Sequence, residues 1–357
     1  MLDCKEAYEL ICKAIDREVK FNELETIFSQ NKTDKKNNNE KTKKVKQEDN
    51  YIEVKRFAAN FYKAPIVNYK GYVNGSKDLY SEVIAESLVN DSFIKDWLYL
   101  IPVRPEHFKI NHPNKYENVD ALKITNRKEE ILAKLLFYQR EVAGLGYIFD
   151  YQTPLKATRN DSYGKIDLLG YNNADECYSV IELKYRPSGS DETLLRCILE
   201  AYTYYKLLDL NQIKSDVGHG GIKNLKELPK YKHTDKAELV ILFDEKSCKA
   251  DDGGAETNLM LRIVPKKVNE ANYPSNTVES QQHKECKELI DSSKRKALRT
   301  LCEEILAQEP NLKQIRFVVL RADTDSKAPY PTNIKGWSRK LDRLYRAETL
   351  LTIPSKR

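Results

Sequence analysis

Apolar positions along the chain change their period several times, and each change marks an element. Ala7, Leu10, Ile11, Ala14 and Ile15 recur at helical spacing, which predicts one or two amphipathic helices over residues 1–29 whose apolar face needs a partner surface. A helix is expected over residues 79–88, ahead of a Pro-punctuated stretch at 101–113. From residue 125 the pattern sharpens. Asn126 followed three residues on by Glu129 reads as a capping box, and Leu132, Leu135, Leu136 and Val142 continue a helical stripe until Gly144 and Gly146 stop it. GYIFDYQTPL then reads as a strand, and GKIDLLGY and CYSVIELKY as a hairpin across the turn-forming NNADE. After the loop RPSGSD comes a long helix, ETLLRCILEAYTYYKLLDL, with Leu194, Cys197, Ala201 and Tyr204 or Tyr205 on one stripe. AELVILFDE is an unbroken apolar run, as in a buried strand of a parallel pair. The order is helix, three strands, helix, strand. The last third adds strands at NLMLRIV and IRFVVLRA, a long helix near 279–306 and a last helix near 338–350. No internal repeat is present.

Composition narrows the class. The chain has 357 residues, 40% hydrophobic and 32% charged, which suits a globular protein of two domains or one elaborated domain. No apolar run reaches the ~18–20 residues of a spanning helix, and charge runs through the first twenty residues where a signal peptide would be apolar. No membrane partner is expected. Seven scattered cysteines are too few for a disulfide framework and fit a reducing cytoplasm. Of the net charge of +6, residues 31–47 hold +5, seven lysines against Asp34 and Glu40, so the body is close to neutral. Such a Lys/Asn-rich run cannot bury enough apolar surface to offset its chain entropy, and it reads as a disordered tether. The expected divisions are a helical segment at 1–30, the tether at 31–50, an α+β region at 51–124, a core at 125–245 and an α/β extension at 246–357.

The candidate chemistry is in the hairpin. Successive strand residues alternate faces, so Glu182 and Lys184 point one way and Leu183 the other. With the turn centred between Ala174 and Asp175, Asp167 lies opposite Glu182. Two carboxylates sharing one spot raise each other's proton affinity, and a divalent cation between them resolves the conflict. Oxygen ligands without Cys or His suit Mg²⁺ or Mn²⁺ rather than Zn²⁺. Lys184 can hold an attacking water and offset phosphate charge. The Glu-x-Lys triplets at Glu18 and Glu53 lack this neighbourhood. The competing reading of Glu182 and Lys184 is a solvated charge pair on an edge strand.

An Asp, a fourteen-residue spacer and Glu-Leu-Lys at a strand end resemble the PD-(D/E)xK phosphodiesterase superfamily, the restriction-endonuclease-like nucleases. The resemblance covers about residues 125–245 and implies an α/β fold with a restriction-endonuclease-like core, an α-β-β-β-α-β mixed sheet flanked by helices, with N- and C-terminal elaborations. It implies Asp167 and Glu182 as Mg²⁺ ligands, Lys184 as the group that positions the water, and a further helix carboxylate. Glu129 is the choice for that carboxylate, with Glu130 in reserve. Ile166 stands where the family commonly has Pro. The implied activity is hydrolysis of nucleic acid, with DNA the expected substrate. A homodimer is how such nucleases often cut both strands, and no dimer surface is legible in this sequence.

The remaining candidates each carry two readings. Arg186 falls on the face of Glu182 and Lys184, as a phosphate contact or a solvated loop residue. Glu192, Arg196 and Glu200 recur every four residues, as an intrahelical charge ladder or, as the resemblance implies, as polar residues on this helix beside the site. Arg339, Arg343 and Arg346 form a basic stripe on the expected last helix, able to track a nucleic-acid backbone or simply solvated. His283 and Cys286 lack further ligands for zinc. No Gly-rich phosphate loop precedes a helix. The alternative from another class is a nucleic-acid-binding or scaffold protein that keeps the fold without turnover.

Overall fold

The computed structural model describes residues 55–69, 80–90, 93–103, 128–155, 163–184, 192–218, 231–244, 297–322 and 344–357, with a few isolated positions between them. The elements are α1 (Tyr80–Asn90), α2 (Phe93–Asp96), α3 (Lys128–Gln139), β1 (Glu141–Val142), β2 (Gly146–Pro154), β3 (Lys165–Asn172), β4 (Cys177–Lys184), α4 (Leu194–Leu207), α5 (Leu210–Gly218), β5 (Ala237–Asp244), α6 (Ala297–Gln308), β6 (Leu312–Ala322) and β7 (Tyr345–Pro354). Apart from the single helical position Glu9, the expected helices over 1–29, the tether, the strand at 258–264 and residues 279–296 lie outside the described residues. No helix among the described residues is long and apolar enough to cross a membrane.

The seven strands among the described residues join one mixed sheet in the order β1 to β7. β1 through β4 are antiparallel, β5 runs parallel to both β4 and β6, and β7 returns antiparallel to β6. This α/β arrangement with helix-flanked sheet bears out the expected class, and the helix, three strands, helix, strand order over the core is present with the short β1 and α5 added. Unbroken apolar runs form β4 and β5 because both of their faces are covered. On one face, Tyr178 and Val180 of β4 and Leu239 and Ile241 of β5 pack with α1, α4, α6 and residues 57–67. On the other, Ile181, Leu183, Val240 and Leu242 pack with Leu132, Leu136 and Phe137 of α3. Each such side chain contributes about 1.5–3 kcal/mol on full burial, and a one-residue slip of β4 would send every one of them to the wrong layer. That alternation fixes which face Glu182 and Lys184 occupy.

The sheet curls until its ends meet. Ala347 N–H donates to Ala143 O at 2.7 Å, beside a parallel bridge between Ala143 and Arg346. Arg316 on β6 reinforces the closure, donating to Gly144 O (2.6 Å), Thr349 Oγ1 (2.9 Å) and the fully buried Glu238 (3.1 Å). Gly144 has φ +82°, and a Cβ there would collide with the Ala347 carbonyl oxygen, so only glycine lets the ends approach this closely.

Two expectations are corrected. The helical stripe expected to continue through Val142 ends at Gln139, because Arg140 turns the chain with φ +68° and Glu141–Val142 pairs with Gly146 and Tyr147 as β1. The chain at 345–350 is strand, not the end of a helix, because residues 345–354 pair along most of β6. Nonlocal ladder bonds outweigh the helix propensity of the Ala, Glu and Leu residues there. Arg346 is therefore an exposed strand residue, and no basic helical stripe includes it; Arg339 and Arg343 lie outside the described residues.

Candidate active site

The β3–β4 hairpin forms in the expected register. Asn172 pairs with Cys177 across the four-residue turn, and pairing runs on through Leu169 with Val180 and Leu168 with Ile181. One step further brings Asp167 level with Glu182. Leu183 N–H donates to Asp167 Oδ2 at 2.9 Å, locking the carboxylate against the neighbouring strand. Its other oxygen, Oδ1, accepts from Gln152 Nε2 at 2.8 Å. Glu182 is 2% exposed and Asp167 7%. That burial disposes of the solvated edge-strand reading, since β4 is central and its carboxylate has left water.

Lys184 reaches three carboxylates at once: Glu182 Oε1 at 2.5 Å, Glu192 Oε2 at 2.6 Å and Glu200 Oε2 at 3.2 Å. Thr193 arranges the latter two by capping α4. Its Oγ1 accepts from Arg196 N–H and donates to Val67 O (2.7 Å), while its own N–H donates to Asn68 Oδ1 (2.8 Å). The ladder expected along this helix survives only in the Glu192–Arg196 pair at 3.4 Å. Glu200 instead turns inward, where Tyr204 O–H donates to its Oε1 at 2.7 Å. With that proton committed, Tyr62 donates in turn to Tyr204 (3.3 Å).

The electrostatics of the cluster are uneven. Burial opposes ionisation of Glu200, yet Lys184 and the Tyr204 hydroxyl outweigh it and hold its pKa below the usual carboxylate range. Burial and the neighbouring Glu200 push Glu182 well up, against the pull of Lys184. Burial and Glu129 do the same to Asp167. Burial would lower Lys184, but Glu182 and Glu200 hold it well above an ordinary ammonium. Lys184 is thus a permanent cation outnumbered by carboxylates, and Glu182 Oε2 is buried with no hydrogen-bond partner.

A cleft of about 330 Å³ opens over Asp167, lined by Glu129, Glu130, Gln152, Tyr163, Gly164 and Lys165. Glu129 acts on Asp167, whereas Glu130 is ion-paired with Lys134 at 3.4 Å. Asp167, Glu182 and Lys184 are therefore neighbours, with Glu129 beside Asp167 at the cleft, and Arg186 lies outside the described residues. Gln152 and the Tyr204–Tyr62 relay carried no cue in the sequence, and Glu192 and Glu200 carried only their four-residue spacing. Among the described residues, no group of three or more His, Cys, Asp or Glu side chains is arranged to hold a metal ion. No protein-family model matches the chain, and no curated protein or solved structure matches it.

Proposed function

We propose that the chain is a Mg²⁺- or Mn²⁺-dependent phosphodiesterase acting on nucleic acid, with DNA the expected substrate, built on a restriction-endonuclease-like core. The observation that carries this reading is the juxtaposition of Asp167 and Glu182 on adjacent strands, with a buried Glu182 oxygen lacking any donor and Lys184 one step along the same face. The antiparallel β2–β4 unit, the α4 crossover and the parallel β5 support it, as does the cleft over Asp167.

The donor set fits a hard divalent cation. Mg²⁺ is commonly held by one or two carboxylates with water completing the shell, so Asp167 and Glu182 suffice, with Glu129 beside them. Bound there, the cation supplies positive charge against a scissile phosphate and lowers the pKa of water. Lys184 stays protonated, so it cannot act as a base; it donates hydrogen bonds that orient the attacking water and offsets charge on the phosphate. Glu200, fixed by Tyr204 and Tyr62, holds the ammonium from the helix side.

The binding or scaffold reading is favoured by a different observation: Glu182 is almost wholly buried and the Lys184 ammonium is already engaged by three carboxylates. A cleavage assay separates the two. Purified protein with Mg²⁺ or Mn²⁺ is expected to cut DNA, and Asp167→Ala to lower the rate by about 10³-fold or more, a loss of ~4 kcal/mol of transition-state stabilisation. Binding without turnover in both proteins, on DNA and RNA alike, would replace the hydrolytic reading with the scaffold one.

A further inference from the structure

β2 does not run straight past the site. Tyr147 pairs with Tyr171 and Ile148 with Gly170, but the register then slips by one residue, so that Asp150 pairs with Leu169, Tyr151 with Leu168 and Thr153 with Ile166. The slip brings Gln152 level with Asp167. Without it, Tyr151 would stand there, and a ring rather than an amide would face the carboxylate. Tyr151 instead packs against Phe137 of α3, ring centroids 5.0 Å apart. Gln152 pays for its position in backbone conformation, with φ +48°, a region that residues bearing a Cβ rarely adopt. The hydrogen bond from Thr153 Oγ1 to Asp150 Oδ2, 2.5 Å, bridges the strained Gln152 just beyond the slip. A gap-filling role would be met at less strain by glycine, which takes this φ freely. Bulges next to functional sites commonly re-aim a side chain, and strain that persists at such a place is over-determined by its surroundings.

We propose that Gln152 is a positioning residue for the cation site. Its amide grips Asp167 Oδ1 while Leu183 N–H grips Oδ2, so the carboxylate cannot rotate and stays level with Glu182. Partners that orient metal-binding side chains in this way are worth about 10–100-fold in metal affinity. The proposal rests on the cation-dependent reading above. It also names what the bulge is for: the extra residue in β2 exchanges a tyrosine for an amide at one point of the sheet.

The test is Mn²⁺ binding to the full chain by titration calorimetry, with thermal unfolding in chelator alongside. Gln152→Gly removes the amide and relieves the backbone, so it is expected to weaken Mn²⁺ about 10–100-fold while the metal-free melting temperature stays level or rises. A merely structural glutamine would give the opposite pattern, lower melting temperature with Mn²⁺ affinity unchanged, and that result would overturn the proposal. Should the glycine protein not fold, Gln152→Asn decides, since asparagine tolerates this φ but its amide falls one methylene short: weakened Mn²⁺ binding supports the role and wild-type affinity refutes it. If the wild-type chain takes up no Mn²⁺, the cation reading fails and the proposal with it, whereas tight wild-type binding that the variants share sinks the proposal alone.

Discussion

Glu182 sits between two demands. Its Oε1 neutralises Lys184, while its Oε2 is buried with no hydrogen-bond partner, and Glu200 has the stronger hold on a full negative charge because Lys184 faces it and Tyr204 donates to it. In the metal-free protein this sets a pH dependence whose sign can be worked out. A carboxyl group whose pKa is raised by folding binds its proton more tightly in the native state. Its contribution to stability is therefore complete below the ordinary carboxylate range and is lost as pH rises through the higher native value. Near neutral pH the wild type bears that cost, about 1.4 kcal/mol for each tenfold gain in proton affinity. Glu182→Gln keeps an oxygen for Lys184, which retains Glu192 and Glu200, and removes the buried charge. It is expected to melt above wild type in chelator at neutral pH, by roughly 2–4 °C per kcal/mol recovered, and the two curves should converge as pH falls. Added Mg²⁺ should raise the melting temperature of the wild type and not of the variant. A variant that melts below wild type at every pH would mean that the charge is satisfied in the native protein.

At the scale of elements, α4 is the lever that sets the helix side of the site, and its start is pinned by one residue. Thr193 caps the helix and ties it to Val67 and Asn68, so Thr193→Ala is expected to cost about 1–2 kcal/mol and Thr193→Ser to recover most of it, read as denaturation midpoints. The buried stripe of this helix, Leu194, Cys197, Ala201 and Tyr204, was legible because helical period and burial coincide. The hairpin was legible for a similar reason: a local turn and strict alternation fix both register and face, which is enough to bring Asp167 to Glu182. Neither reason extends to β7 or to the kink in β2. Arg346, Ala347 and Glu348 suit a helix when judged by their neighbours in sequence, and they become strand through bonds to β6, whose partner residues lie about thirty positions away. The kink leaves no mark, because Gln152 is not a glycine and the slip at Ile148 interrupts no apolar run. The Glu192–Glu200 spacing suggested a surface ladder because sequence cannot show that Lys184 waits beneath the helix.

Among the described residues the sheet is held by a closure remote from the candidate site. β1 and β7 meet through Ala143 and Ala347, and Arg316 bonds to the β1–β2 turn, to β7 and to Glu238 on β5, while Ser179 and Gln314 add donors to the same carboxylate. Glu238 is fully buried, so each bond around it is made in a setting where an unpaired charge is costly. This network lies at the turn end of β3 and β4, where Asn172 also donates to Glu238, and the carboxylates Asp167 and Glu182 lie at the other end of the same strands. Gly144→Ala tests whether closure and site are separable. Its Cβ must displace the Ala347 carbonyl and adopt a positive φ, for an expected loss of about 2–3 kcal/mol, or roughly 5–10 °C in melting temperature. Because β2 to β5 pair independently of the seam, Mn²⁺ affinity measured well below that melting temperature should stay at the wild-type value. A parallel fall in Mn²⁺ affinity would show instead that the curl of the sheet, and not the hairpin alone, sets the spacing of the two carboxylates.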